Sequence, residues 1–163
     1  MPAVSNTSPI SNLAWIGRLN LLREQFQEVW IPKAVETELQ NLPDAAARKA
    51  VDDARHQGWL KSRAASDAAL VSILMVELHP GEAEAIALAL EMKVDHLLID
   101  EREGRTLARQ LGLPLTGVLG VLLRAKKKGR IKAVKPEIDA LKSKARFFIS
   151  TALETAILTK AGE

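Results

Sequence analysis

Short apolar runs alternate along this chain with longer segments whose apolar residues recur at helical spacing. The clearest apolar run lies at residues 96–99, and shorter runs lie at residues 3–6 and 28–31. Residues 82–92 consist mainly of Glu, Ala, Leu and Ile and form the most strongly helical segment. Alternating strands and helices predict a parallel sheet covered by helices.

Turn and capping residues divide the remainder of the chain into further elements. Additional short strands are predicted at residues 59–63 and 113–116. Ser8 is predicted to cap the first helix, and Thr151 with Glu154 is predicted to form a capping box. The other predicted helices lie at 19–26, 33–40, 45–57, 67–78, 102–111, 118–128, 136–145 and 151–160. Four or five strands with seven or more helices predict a three-layer α/β/α sandwich with a short parallel central sheet.

Composition narrows the class of protein without naming its function. A chain of 163 residues with 47% hydrophobic and 4% aromatic residues predicts one compact domain with an aliphatic core. The absence of cysteine excludes disulfides and thiolate metal sites and fits a cytoplasmic protein. No apolar stretch approaches the roughly 18 residues of a membrane span, and the N-terminus lacks the pattern of a signal peptide.

The positive charge of the chain is concentrated in one segment. The formal net charge is +3, and residues 124–132 hold six basic residues and no acid. Such a segment could follow an RNA backbone, and it is equally typical of a solvated helix C-terminus. Few aromatic residues are available for stacking on bases, so no stacking platform is expected. The candidate RNA contacts are Arg124, Lys126, Lys127, Lys128 and Arg130.

Candidate site residues lie where strands are predicted to end, because sites in parallel sheets form at the carboxyl edge. Asp100 follows the apolar run at residues 96–99, and a carboxylate there is costly to bury without a cation or a donor. Asp100 is therefore a candidate metal ligand, or alternatively a helix cap. Asn6 ends the first strand and could equally be a cap or turn residue.

Three glutamates complete the candidate set. Glu82 and Glu84 lie in the first turn of the helix that follows Gly81, where acids are favoured by the helix dipole alone. Being two positions apart, they point in different directions, so only one is expected to face the site. Glu38 lies on a helix where solvated glutamates are common. No one of these residues is specific, and the specificity comes from their order and spacing.

In that order and spacing the chain resembles the PIN domain family, metal-dependent nucleases whose best-known members are the VapC-like toxins of toxin–antitoxin pairs. The resemblance covers most of residues 3–130. It implies a PIN-like nuclease domain over residues 1–130 and a C-terminal helical extension over 131–163 that packs on the same domain. The matching segments are residues 4–10, 30–39, 80–89, 97–101 and 114–120.

The resemblance also implies a cluster of acids that binds Mg²⁺ or Mn²⁺. Carried over by position, the catalytic set falls on Asn6, Glu38, Glu82 and Asp100, and the last three would be the metal ligands. Glu82 is preferred because it lies 18 positions before Asp100, the separation expected between the family's last two acids. The secondary candidates are Thr7, Ser8, Glu84 and Glu101, of which Thr7 or Ser8 could position a water.

Asn6 departs from the family pattern, which usually has aspartate at this position. An amide oxygen can coordinate a hard cation, but it adds no charge and cannot act as a base. The resemblance implies a metal-dependent endoribonuclease, for which the toxin of a type II toxin–antitoxin pair is one role. It also implies RNA and a small antitoxin as partners and a homodimeric assembly. The alternative that Asn6 favours is a degenerate PIN-like domain that binds RNA or a protein without efficient catalysis. A third interpretation is an unrelated α/β domain whose acids only cap helices and do not converge.

Overall fold

A computed structural model describes residues 2–163, in which five strands form one parallel sheet. The strand order is β3-β2-β1-β4-β5, so β1 is central and β4 is its neighbour. Val4 pairs with Trp30 on one side and with Leu97 on the other. Because the strands are parallel, all their carboxyl ends lie along one edge. The strands are β1 Ala3–Ser5, β2 Val29–Ile31, β3 Leu60–Ser62, β4 His96–Leu98 and β5 Leu115–Thr116.

Ten helices in the described chain cover the sheet on both faces, which confirms the predicted α/β fold. The helices at 33–40 and 151–160 have the predicted bounds. None of the helices within residues 2–163 combines the length and the hydrophobicity that a bilayer crossing requires. The helices are α1 Thr7–Trp15, α2 Asn20–Phe26, α3 Lys33–Gln40, α4 Ala45–His56, α5 Ala68–Leu74, α6 Pro80–Met92, α7 Arg102–Gln110, α8 Val118–Lys127, α9 Lys135–Lys144 and α10 Thr151–Lys160.

Two separate hydrophobic clusters hold the layers together. Successive side chains on a strand point to opposite faces of the sheet, so Ala3 and Leu98 join one cluster while Val4 and Leu97 join the other. The first cluster packs under α1–α4 and α8–α10, and the second packs under α5–α7. This separation is what makes the fold a sandwich of three layers.

The predicted start of α1 and the predicted end of α5 differ from the structure. α1 begins at Thr7 with Asn6 at its N-cap position, so Ser8 is not the cap. The reason is that the Ser8 hydroxyl donates to Glu101 instead of serving its own helix. α5 ends at Leu74, four residues before the predicted end, and a turn follows it. Residues that contact distant segments therefore override the local capping rules.

The predicted capping box of α10 is wrong. Ser150 caps the helix, because its hydroxyl accepts from the Leu153 amide at 3.2 Å. The Glu154 side chain reaches back to no capping amide and instead pairs with Lys135 and Lys142 of α9. These ion pairs join the two last helices to each other.

Residues 131–163 share the first hydrophobic cluster with the rest of the chain. Val134, Ile138 and Ile157 are buried in it. Glu163 accepts hydrogen bonds from the Val134 amide at 2.7 Å and from Lys126 Nζ at 2.9 Å. These bonds, led by the Val134 amide, lower the pKa of the Glu163 carboxyl to about 2. The last helix is thereby held against α8, and this positions one wall of the groove described below.

Candidate active site

Polar side chains gather where β1 and β4 end. The two strands are neighbours, and Ser5 pairs with Leu98 at their carboxyl ends. The backbone amide of Asn6 donates to the Leu98 carbonyl at 2.9 Å, and this bond extends the pairing of the two strands by one residue. Asn6 consequently lies level with the residues that follow β4, and those include Asp100 and Glu101.

Glu101 contacts Asn6 directly. Asn6 Nδ2 donates to Glu101 Oε2 at 2.8 Å, and Ser8 Oγ donates to Glu101 Oε1. Asn6 is only 3% exposed, so this bond is shielded from water and strengthened by the charge of its acceptor. An aspartate at position 6 would face Glu101 with a like charge. The amide thus replaces an electrostatic repulsion by a hydrogen bond.

Glu38 approaches the same point from α3. Thr7 Oγ1 donates to Glu38 Oε2 and fixes the carboxylate near the start of α1. A methyl group on Gly81 would lie 3.0 Å from Asn6 Oδ1 and 3.1 Å from Glu38 Oε1. These two oxygens therefore converge above Gly81, and the missing side chain leaves the space between them open.

Glu82 is the buried carboxylate of the group. It lies in the first turn of α6 and is 5% exposed. Burial raises the pKa of Glu82 above its ordinary value, and the nearby charge of Glu101 raises it further, while His79 acts in the opposite direction. The effect of the Glu101 charge on the Glu82 pKa indicates that the Glu82 carboxylate lies near Glu101, and a methyl group on Gly104 would lie 2.9 Å from Glu82 Oε2.

Glu84 points elsewhere. Its Oε1 accepts from the Ala34 amide at 3.2 Å, at the start of α3. An acid at this place satisfies a free amide and suits the positive end of the helix dipole. Of the two glutamates in the first turns of α6, the structure thus brings Glu82 to the site and uses Glu84 to hold α3.

Asp100 also faces away from Asn6. Its Oδ1 accepts from the Val118 amide at 3.0 Å and lies against Gly117, so it contacts the start of α8. Its Oδ2 is buried and meets no hydrogen-bond partner in the described chain. Consecutive residues of an extended segment point in opposite directions. This is why Glu101, the neighbouring candidate, is the residue that reaches Asn6 and Ser8.

The buried Asp100 carboxyl predicts a pH-dependent stability. Burial raises its pKa from 3.8 to about 6, against the opposing bond from Val118. The folded state holds this proton more tightly than the unfolded state does. The ionised Asp100 carboxylate therefore destabilises the fold fully above about pH 6, and this destabilisation disappears as the pH falls towards about 4. As the pH falls through this range, the free energy of unfolding of the wild type should rise by on the order of 3 kcal/mol relative to that of Asp100→Asn.

Urea unfolding of the wild type and Asp100→Asn at about pH 7.5, 6 and 4 measures this contribution, since titration of the other carboxylates cancels in the difference. The variant is expected to be the more stable protein at about pH 7.5. If the difference in free energy of unfolding between the two proteins does not change with pH, Asp100 is ionised in the folded state at little cost in stability.

The donors at the site are all oxygens, the ligand type that Mg²⁺ and Mn²⁺ prefer. They belong to Asn6, Glu38, Glu82 and Glu101, with the hydroxyls of Thr7 and Ser8 beside them. Across residues 2–163, no three Asp, Glu, His or Cys side chains are arranged so that they could hold a metal ion. The donors match a hard divalent cation in chemical type. Since no three acids of the described chain meet at one point, an ion here would also need the side-chain oxygen of Asn6, which lies beside Glu38.

The basic residues predicted to contact RNA fall into two groups. Lys126 is bonded to Glu163 and the Ala161 carbonyl, and Arg130 pairs with Glu24. Arg124, Lys127 and Lys128 form no salt bridge with any residue from 2 to 163. The structure thus leaves part of the predicted set available to a ligand and commits the other part to internal contacts.

Two features near the site were missed by sequence reasoning. The Arg105 guanidinium donates to the Ile99 carbonyl at 2.8 Å and lies beside Asp100 and Gly117. Phe148 is 88% exposed, whereas its neighbour Phe147 packs against the first hydrophobic cluster. The Phe147-Phe148 pair within a polar stretch was the available signal for the second feature, and nothing in the sequence marked the first.

The family of this chain follows from its match to a protein-family model. The DUF3368 family model, described as a PIN domain, matches residues 2–163. No curated protein and no solved structure matches the chain. PIN domains are generally metal-dependent nucleases. The match extends over both the sheet and the last two helices and confirms the resemblance seen in the sequence, so the chain belongs to the PIN domain family.

Proposed function

We propose that this protein is a metal-dependent endoribonuclease whose site is formed by Glu38, Glu82 and Glu101 around Asn6. The observation that carries this proposal is the convergence of side chains from α3, α6 and the end of β4 on the end of β1. A set of capping residues without a common function would have no reason to meet there. The third interpretation of the sequence, an unrelated α/β domain, does not agree with the family match.

The oxygen donors would hold Mg²⁺ or Mn²⁺, which when bound polarises a phosphodiester and lowers the pKa of a bound water. The side chains of the chain supply orientation and proton transfer. Asn6 and Ser8 orient Glu101, and Thr7 orients Glu38. Glu82, whose pKa is raised by burial and by Glu101, is suited to accept a proton from an attacking water. Asp100 instead positions the start of α8.

Glu82→Gln tests this assignment. The substitution keeps the shape of the side chain and removes its charge and its ability to accept a proton. Mn²⁺-dependent cleavage of a labelled single-stranded RNA should fall by about 100-fold or more, the usual size of a general acid–base contribution. Cleavage is followed on gels with Mn²⁺ and with EDTA, and the melting temperature of each protein is recorded.

Glu84→Gln is the matched control, because it makes the same change in the same helix on a residue that faces α3. It should retain cleavage within a few-fold, since glutamine still accepts from the Ala34 amide. Equal losses in both variants, or cleavage that persists in EDTA, would refute the proposed site.

A degenerate domain is the second candidate function. It is favoured by the Asn6–Glu101 hydrogen bond, which occupies the carboxylate that a metal would need, and by the lack of a three-acid group among residues 2–163. In this case the protein would bind RNA or a protein partner without efficient cleavage. RNA cleavage by the wild type and by Asn6→Asp in Mn²⁺ separates the two candidates.

The biological setting is also a proposal. A role as the toxin of a toxin–antitoxin pair, with a small antitoxin as partner, is supported by the resemblance to VapC-like proteins. Homodimer formation is supported by the same resemblance and by the exposed apolar residues Ile73 and Val76 at the end of α5, which are 68% and 83% exposed. A cytoplasmic location is supported by the absence of cysteine from the sequence.

A further inference from the structure

A groove runs along α8 away from the acid site. Its first part, a cavity of about 590 Å³, opens at Asp100 and is bounded by α8, α10 and the segment between α9 and α10. Its second part, of about 570 Å³, lies beside Lys127 and Lys160. The two parts share Gly120 and Arg124. The two cavities therefore adjoin, and a ligand that occupied both would extend from the residue next to Glu101 towards the ends of α8 and α10.

The first part of the groove has an aromatic side chain on its rim. Phe148 is 88% exposed, whereas its neighbour Phe147 packs against the hydrophobic cluster of the sheet. Because this exposed ring lines a cavity, its face is open to a ligand that enters the cavity. A nucleobase presents a flat apolar face that stacks on such a ring whatever its sequence.

The second part of the groove is cationic. Arg124, Lys127 and Lys160 line it and carry charges that no acid within residues 2–163 neutralises by a salt bridge. Over both parts, the only acid among the lining residues is Asp100, at the end nearest the site. An aromatic rim followed by unpaired cations matches the alternation of bases and phosphates in a polynucleotide.

We propose that this groove binds single-stranded nucleic acid, with one base stacked on Phe148 and the following phosphates on Arg124, Lys127 and Lys160. A base stacks on a protein ring only when its own face is free, so a duplex does not fit. The proposal rests on the proposed function for the class of substrate, and it adds the path of the strand along α8 and the contact with Phe148. It differs from the expectation, drawn from the few aromatic residues, that the protein has no stacking platform.

The test measures binding without cleavage. Fluorescence anisotropy with a labelled RNA of about 12 nucleotides is recorded in EDTA, so metal-dependent chemistry plays no part. Phe148→Leu keeps an apolar side chain and removes the aromatic face, and Phe148→Tyr keeps the face. The dissociation constant should rise about 5- to 150-fold for Phe148→Leu, as expected for one lost stack. It should change by less than about 3-fold for Phe148→Tyr, which retains the stack.

The charges are tested separately through the salt dependence of binding. Lys160→Gln should reduce the slope of log K against log salt by about 0.7, the value for one phosphate contact to a single strand. Lys49→Gln, on α4 and outside the lining of the groove, is the control and should leave the slope unchanged. Single-stranded DNA of the same sequence distinguishes RNA from DNA as the ligand, and an RNA duplex should bind more weakly than the single strand and without dependence on Phe148.

Equal binding by Phe148→Leu and Phe148→Tyr would overturn the proposal, as would a duplex that binds as tightly as the single strand and with the same response to Phe148→Leu. Binding of an acidic peptide in place of RNA would overturn it too. Failure of the nuclease proposal has a different outcome: the wild type would bind single strands through Phe148 in EDTA and leave them intact in Mn²⁺.

Discussion

Asn6→Asp is expected to destabilise the metal-free protein and to strengthen its binding of Mn²⁺. The substitution removes the hydrogen bond to Glu101 and places a further negative charge among Glu38, Glu82 and Glu101. Loss of a bond to a charged group costs about 1.5–3 kcal/mol, which corresponds to a drop in melting temperature of about 3–12 °C for a chain of this size. A bound cation turns the same repulsion into ligation, so Mn²⁺ should restore more stability to the variant than to the wild type.

Thermal unfolding in EDTA and in Mn²⁺ measures both effects. Asn20→Asp is the control, since it adds the same charge at an exposed position at the start of α2 and should respond to Mn²⁺ as the wild type does. If Mn²⁺ stabilises Asn6→Asp no more than the wild type, the three glutamates do not form a metal site with position 6.

Cleavage by the same proteins separates the two candidate functions. A wild type that cleaves RNA in Mn²⁺ shows that the Asn6 amide is tolerated, and the endoribonuclease proposal then stands. An inactive wild type together with an active Asn6→Asp shows a degenerate site on a nuclease fold, as the second candidate function states.

Glu101→Gln should lose far more metal affinity than Asp100→Asn, although the two residues are adjacent. Glu101 contacts Asn6 and Ser8, whereas the Asp100 carboxylate is bonded to the Val118 amide at the start of α8. Glutamine at position 101 can still accept from Asn6, so the fold is retained while the charge is lost. Calorimetric titration should show that Mn²⁺ affinity falls by at least about 10- to 100-fold, which is the usual loss when a residue that hydrogen-bonds to a metal ligand is changed.

Asp100→Asn should retain Mn²⁺ affinity within a few-fold. Glu103→Gln controls for long-range charge, because Glu103 is exposed and also raises the pKa of Glu82. A larger loss in Asp100→Asn than in Glu101→Gln would return Asp100 to the ligand position that the sequence suggested, and it would require Asp100 to turn away from α8 when the ion binds.

The sequence predicted the layers of the fold because its hydrophobic pattern is local. Apolar runs of three or four residues separated by helical periodicity allow little besides a parallel sheet with helices on both faces. Errors lay at the ends of elements, such as the early end of α5 and the cap of α10. In each case the side chain that should have served its own helix is engaged elsewhere or the local signal was weak.

The membership of the candidate site stays a prediction that the family resemblance supplied. The structure places Asn6 Oδ1 and Glu38 Oε1 together above Gly81 and places Glu82 near Glu101. Which of Asp100 and Glu101 joins them depends on the direction of the chain after β4. That direction is set by the contact of Asp100 with Val118, 18 residues away, and by the contact of Glu101 with Asn6, 95 residues away.

The sequence alone determined the family, the order of the elements and the presence of an amide where an acid is usual, because each of these is written in residue identity and spacing. Tertiary structure alone decided that this amide bonds to Glu101, that Glu84 holds α3, and that Phe148 stands exposed beside unpaired cations. These outcomes depend on how distant segments pack against each other. Hydrogen bonds and burial then separate two neighbouring acids by a few kcal/mol. The hydrophobic periodicity of the sequence does not contain this information.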